Sequence, residues 1–336
     1  MEERYGDRRP PAFWCGWLWV IYRLNQKIIF RIRRVGRCVF GAQIRAAILV
    51  LLLCFGTSIR TLAFVKEAGT PLAKVKVVCD VVYASPDGHN QLLDLYLPAS
   101  AKSPVPLILF IHGGGWEAGD KNCFPEGDPI GRGYAVASID YRLSQVAKFP
   151  AQIEDCKAAV RWIRTHASEY NIDPNRIAAW GYSAGGHLAA LLGTSGGVRR
   201  LEGANPENKK ASSRVQAVVD CCGPADFTKM GNYIPDVLER LLGGTVSEKR
   251  GLAVEASPVT YVTKDDPPFL IIHGKLDDLV PWQQSQELHN KLIGAGVESE
   301  LHLLPDAGHG FGGPEIVEIV YKFLGKHLNP FVENAR

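Results

Sequence analysis

Ser183 stands in the stretch WGYSAGGHLAALLG (180–193), between two glycines in a Gly-x-Ser-x-Gly pattern. A serine hydroxyl is a poor nucleophile until a base takes its proton, and histidine is the side chain suited to that near neutral pH. The imidazole in turn needs an acceptor on its other nitrogen to fix its tautomer, which an aspartate supplies. The pattern alone recurs by chance in Gly-rich chains, so its weight rests on the company it keeps. Here IHGGGW (111–116) precedes it, and HGKLDDLVP (273–281) and GHGF (308–311) follow it. Together they supply a nucleophile, an acid, a base and a glycine run, the ingredients of acyl transfer through a covalent intermediate.

Position narrows the roles. After the aspartate pair the histidines are His289, His302, His309 and His327. His289 and His327 fall inside helical patterns and His302 within a strand pattern, whereas His309 is in a Gly-flanked loop past a strand end, where a base can reach a neighbour. His187, four residues after Ser183, reads as a packing residue of the following helix, and His112 and His273 read as residues that shape their loops. Asp277 and Asp278 are adjacent, and residue type leaves the choice between them open. The glycines beside Ser183 are expected to permit a sharp strand-to-helix turn, with the Ala184 N–H aimed into an oxyanion hole. Gly114 and Gly115 can add their N–H groups because no side chain blocks the backbone, each such donor being worth roughly 3–4 kcal/mol of barrier. Trp116 reads equally as a wall of the substrate pocket or as a cap on the sheet. Asp140, Tyr141, Arg142 and Asp155 read as a structural hydrogen-bond cluster.

These residues need elements to hold them. From about residue 72 strand-like and helix-like patterns alternate. Strands are expected at 75–84, 91–98, 106–112, 134–140, 176–182, 215–221, 268–274 and 298–305, and helices at 152–170, 187–193, 281–296 and 314–328. The first two strands alternate polar with apolar, as antiparallel edge strands do. The later ones are continuous apolar runs, as strands covered on both faces are. Such alternation implies an α/β fold with a mostly parallel central sheet and helices on both faces. In an open parallel sheet chemistry gathers at the carboxyl ends of strands, and the four motifs follow the strands at 106, 176, 268 and 298. The stretch 223–263 breaks the rhythm and is expected to be a small helical insertion over the site.

The order Ser183, aspartate, histidine, with HGGGW, GYSAGGH, HG-x-x-D-x-x-VP and GHGF, resembles α/β-hydrolase esterases of the hormone-sensitive-lipase group. DYRLS (140–144) and FPAQIEDCKAAVRWIR (149–164) narrow the likeness to the BD-FAE-like branch of feruloyl and acetyl esterases, over about residues 75–328. The resemblance implies a metal-free serine carboxylesterase acting on small acyl esters, free or linked to plant polysaccharide. It also selects Asp277 as the acid, because in HG-x-x-D-x-x-VP the acid stands four before the proline, here Pro281. An exopeptidase of the same fold shares the Ser–Asp–His order but normally carries a large propeller, for which this chain has no room. A non-catalytic binding module on the same fold would have lost a triad member, and all three are present.

Composition bounds the rest. The 336 residues are 46% hydrophobic and 22% charged, ordinary for a soluble globular protein. Residues 1–45 hold ten Lys/Arg against three Asp/Glu, the remainder 28 against 32. The basic excess is thus confined to the leader, which argues against a nucleic-acid partner. Residues 46–59 form an uncharged run too short to span a bilayer easily, and a small-residue site follows at 61–63. Residues 1–63 are therefore expected to be a basic export leader and 64–336 the catalytic domain, with a periplasmic or extracellular location. A membrane tether through residues 13–59, or a cytoplasmic enzyme with a spurious extension, are the alternatives. The five cysteines beyond the leader have no regular spacing, and neither HExxH nor CxxC occurs, so no metal or cofactor is expected.

Overall fold

The computed structural model describes residues 75–203 and 208–328. The expected leader (1–63), with its apolar run at 46–59 and the alternative tether at 13–59, lies outside the described residues. Eight strands form one sheet: β1 (Val75–Ala84), β2 (Gln91–Pro98), β3 (Val105–Ile111), β4 (Ala135–Ile139), β5 (Ile172–Tyr182), β6 (Ala217–Cys221), β7 (Phe269–Gly274) and β8 (Ser299–Leu304). Their spatial order is β1-β2-β4-β3-β5-β6-β7-β8, antiparallel for β1-β2 and β2-β4 and parallel throughout from β4 to β8. Of the runs expected to be covered on both faces, β4, β6 and β7 are buried at every residue, whereas β8, at the sheet edge, is only half-buried along its length. One strand departs from expectation, because β2 is not at the edge. It pairs with both β1 and β4, and its polar positions Gln91 and Asp94 are buried, so its alternation marks two covered faces of different polarity.

Helices α1 (Ala151–His166), α2 (Ala184–Thr194) and α5 (Gln283–Gly294) pack on one face, and α6 (Pro314–Leu328) on the other. The first core joins Leu93, Leu109, Ile111 and Ile139 to Ile153, Val160, Leu188 and Leu288. The second joins Ile108, Val136, Trp180 and Val219 to Val320, Phe323 and Leu324. Alternate residues of each strand thus feed opposite cores, the period-two logic of a sheet. α1 stops short of the expected 170. Residues 167–170 tighten into a 3-10 turn closed by left-handed Asn171, whose side-chain amide donates to the carbonyls of Ala101 and Ser103. The insertion at 223–263 holds α3 (Pro235–Leu242), α4 (Arg250–Glu255) and two 3-10 turns. Among the described residues no helix is long and apolar enough to cross a membrane.

Candidate active site

β5 runs into Ser183, and α2 begins at the next residue. Ser183 itself has φ 57° and ψ −119°, a conformation non-glycine residues rarely adopt, costing on the order of 1–3 kcal/mol and held by its surroundings. The Ser183 N–H donates to Cys221 O at 2.8 Å, tying the turn to β6. The flanking glycines serve a purpose other than the expected backbone freedom, since neither has positive φ. A Cβ on Gly181 would lie 2.2 Å from Gly185 O, and one on Gly185 would lie 2.0 Å from Ile111 O. They let strand, helix and the end of β3 close on one another.

Asp277 and His309 come from the loops that follow β7 and β8. Gly274 ends β7, and a Cβ there would lie 2.3 Å from the carbonyls of both Ala307 and Gly308. That close approach, with Leu276 N–H donating to Ala307 O at 2.9 Å, lays the histidine loop across the aspartate loop. The result is a hydrogen-bonded line. His309 Nε2 is 2.8 Å from Ser183 Oγ, and His309 Nδ1 is 2.7 Å from Asp277 Oδ2. The other carboxylate oxygen accepts from the N–H groups of Leu279 and Val280 at 2.8 and 2.9 Å. The Asp277 carboxylate has no exposed surface, while the His309 ring is 20% exposed and Ser183 is half-buried. Burial pushes the Asp277 carboxyl up, but hydrogen bonds from His273 and His309, the His309 charge and the Val280 N–H outweigh it. The carboxyl is held well below the usual carboxylate range and stays ionised. Asp278 is exposed and outside this line.

His273 does more than shape its loop, the role its sequence position suggests. Its Nε2 reaches the same Asp277 Oδ2 at 3.0 Å, so two imidazoles converge on one carboxylate oxygen. His187 lies under the site: Trp116 Nε1 donates to its Nδ1 at 3.2 Å, and its Nε2 donates to Ala256 O at 2.7 Å. Burial lowers its pKa to about 4, so the ring is neutral. It joins the glycine loop, the helix that follows Ser183 and the insertion. Trp116 requires a correction. Its indole is 1% exposed, packed edge-on against His187 and against Phe227, so it belongs to the core under the loop and not to an open pocket wall.

The loop after β3 turns on two left-handed glycines, Gly114 (φ 109°) and Gly115 (φ 63°). A Cβ on Gly114 would lie 2.2 Å from Ala118 O, and one on Gly115 would lie 3.1 Å from Val237 Cγ1, so α3 of the insertion roofs this loop. Arg240 of α3 also pairs with Glu117. Gly113, which sequence reasoning misses, stands nearer the serine: its Cβ position is 3.6 Å from Ser183 Cβ and 2.9 Å from Tyr182 O. The run of three glycines is the signal for it. Ala184 occupies the first helical position, where an N–H has no partner within the helix.

Arg142 forms a bidentate pair with buried Asp155, and the Tyr141 hydroxyl donates to His112 O at 3.1 Å, bracing the loop from behind. Among the described residues the metal-ligand type atoms that converge are those of Cys222, Asp277 and His309, within 4.8 Å of one another. His309 and Asp277 already bind each other there, and burial keeps the Cys222 thiol well above its usual pKa, so the donor set suits a proton relay better than a resident cation. Cys221 and Cys222 are both free thiols.

Against this geometry the comparisons with known proteins are consistent. The chain is 33% identical over 237 residues to esterase LipC of Mycobacterium tuberculosis, an alignment covering 67% of this chain and 58% of LipC. It thus spans little more than half the length of that relative. A truncated carbohydrate esterase from gut microbiota superposes with TM-score 0.70 at 34% identity, covering 77% of this chain and 98% of the other. A thermophilic esterase from the planctomycete species Thermogutta terrifontis superposes with TM-score 0.62 at 28% identity, covering 78% and 95%. The fold is that of the α/β-hydrolases. The BD-FAE family profile matches residues 93–292, and the chain belongs to that family.

Proposed function

We propose that the chain is a serine carboxylesterase acting on small acyl esters, and the Ser183–His309–Asp277 line is the observation that carries the reading. Ser183 Oγ attacks the ester carbonyl while His309 Nε2 takes its proton. The Ala184 N–H, with those of Gly114 and Gly115, stabilises the oxyanion. His309 then returns the proton to the departing alcohol, leaving an acyl group on Ser183. A water, deprotonated by the same imidazole, attacks the acyl-enzyme and releases the acid, and Ser183 regains its proton. Asp277 keeps the imidazole in the tautomer that accepts at Nε2. No step calls for a metal or cofactor.

The substrates we propose are acetyl or feruloyl groups on plant polysaccharide. The likeness to a carbohydrate esterase supports this, as does the export reading of residues 1–63, which would place the enzyme where such polymers are met. The test uses the full chain and Ser183→Ala on p-nitrophenyl acetate, butyrate and decanoate, methyl ferulate and acetylated xylan. Turnover of short esters by the wild type alone identifies Ser183 as the nucleophile, and the ranking of ferulate against xylan acetate names the class. Equal turnover by both proteins would overturn the assignment.

A further inference from the structure

We propose that His273 is a positioning residue for the Asp277–His309 pair, its ring held in orientation by Ser285 of α5; the inference rests on the esterase reading of the same site. His273 Nε2 lies 3.0 Å from Asp277 Oδ2 and 3.0 Å from Val280 O, and both partners only accept. That nitrogen therefore carries a hydrogen, shared between the two. The other nitrogen, Nδ1, is 2.6 Å from Ser285 Oγ. With that hydrogen on Nε2, Nδ1 accepts and the Ser285 hydroxyl donates. Both His273 and Ser285 have 0% exposure, so no water competes for either contact.

The consequence falls on Asp277. Oδ1 takes two backbone N–H groups from its own loop, which anchor one side of the carboxylate. Oδ2 would otherwise be held only by His309, the group it must orient. The His273 N–H fixes Oδ2 independently of His309, so the carboxylate plane is set before the base moves a proton. It also shares out the negative charge that His309 feels. Ser285 acts one step further back. Without its hydroxyl, Nδ1 has no partner in a site closed to water, and the ring is free to tilt so that its Nε2–H turns from Asp277 Oδ2 toward Val280 O. His273 and Asp277 are four residues apart across the turn after β7, whereas Ser285 is on the following helix. The device thus ties the acid loop to α5.

Three variants of the full chain test it: His273→Leu, which removes the donor, His273→Gln, which can restore an N–H at a similar reach, and Ser285→Ala. Two quantities are read, steady-state ester turnover and the proton resonance of His309 Nδ1–H in the substrate-free protein. In His273→Leu, kcat is expected to fall on the order of 10- to 100-fold, the scale of a small misplacement of a catalytic group. KM should stay within about twofold, since no ground-state contact is lost. The His309 resonance is expected to shift in both His273→Leu and Ser285→Ala, and to return toward its wild-type position in His273→Gln. A resonance that stays put in both variants overturns the proposal, as does a His273→Gln protein as impaired as His273→Leu, which would mean that ring packing alone mattered. If His273→Leu does not fold, Ser285→Ala carries the test. Because the resonance is read without substrate, a wild-type protein that turned over no ester would sink the esterase reading and leave this measurement intact. An active wild type with unmoved resonances would sink the positioning role alone.

Discussion

Two neighbouring aspartates show how a single residue's role is decided by its surroundings. Asp277 and Asp278 have the same side chain and adjacent backbone positions, yet one carboxylate is enclosed by four hydrogen-bond donors and the other faces solvent. Asp277→Asn is expected to leave the fold intact and to reduce ester turnover by roughly 10³- to 10⁴-fold, because an amide N–H facing His309 favours the wrong tautomer. Asp278→Asn should stay within about twofold of wild type, as a surface substitution away from the relay does. Steady-state rates of the two purified variants decide the matter, and the reverse ranking would reassign the acid. Nothing in the residue types separates the pair; only the likeness to a motif ending in Pro281 does. Burial is set by the histidine loop lying across the aspartate loop, a contact between strand ends about thirty residues apart that leaves no local pattern. Trp116 is ambiguous in sequence for the same reason. A tryptophan beside a glycine run fits a pocket wall and a core equally, until the loop's path is known.

At the scale of elements, the sequence is most legible where period and length are both strong. All eight strands and the four principal helices fall where alternation places them; β1, β2 and α6 keep their expected bounds, whereas the ends of the others shift by up to four residues. The apolar period places the start of α2 at residue 187, but the helix begins at 184, because its first turn is Ala-Gly-Gly, which carries no apolar period and little helix propensity. Tertiary contact makes up the deficit: the missing side chains let α2 approach the end of β3. Glycines in the motifs are therefore not equivalent. Gly185→Ala puts a methyl 2.0 Å from the Ile111 carbonyl, a backbone atom that cannot move without breaking the sheet. It is expected to lower stability by more than about 3 kcal/mol, beyond ordinary overpacking. Gly310→Ala, beside His309, meets nothing within 4 Å and has no positive φ, so the fold should tolerate it. Denaturant midpoints at unchanged slope would display the contrast, and equal midpoints would mean that α2 and β3 are not so closely apposed.

Over the whole molecule, pH acts through buried groups far apart in sequence that pull in opposite directions. His112 and His187 are fully enclosed, and burial lowers both to about 4 from an ordinary value of 6.5. The unfolded chain binds those protons first, so each histidine's share of stability is intact above 6.5 and is lost as pH falls toward 4. Asp220, on β6 beneath the serine turn, behaves oppositely. Burial raises it to about 7 from 3.8; its Oδ1 accepts from the Gly223 N–H at 2.9 Å, and its Oδ2 has no partner among the described residues. Here the folded chain keeps a proton that the unfolded chain has released. The advantage is fully present below 3.8 and is lost as pH rises through 7. Asp220→Asn fixes the neutral form, so its stability relative to wild type should rise steadily between pH 4 and 7 and then level off. A rise from 3.8 to about 7 corresponds to on the order of 4 kcal/mol at the plateau. The same substitution should steepen the acid loss due to the histidines, because the compensating aspartate is gone. Urea titrations of both proteins from pH 4 to 8 read the difference directly, and contributions shared by the two cancel. A difference that did not vary with pH would mean that Asp220 is already ionised inside the fold.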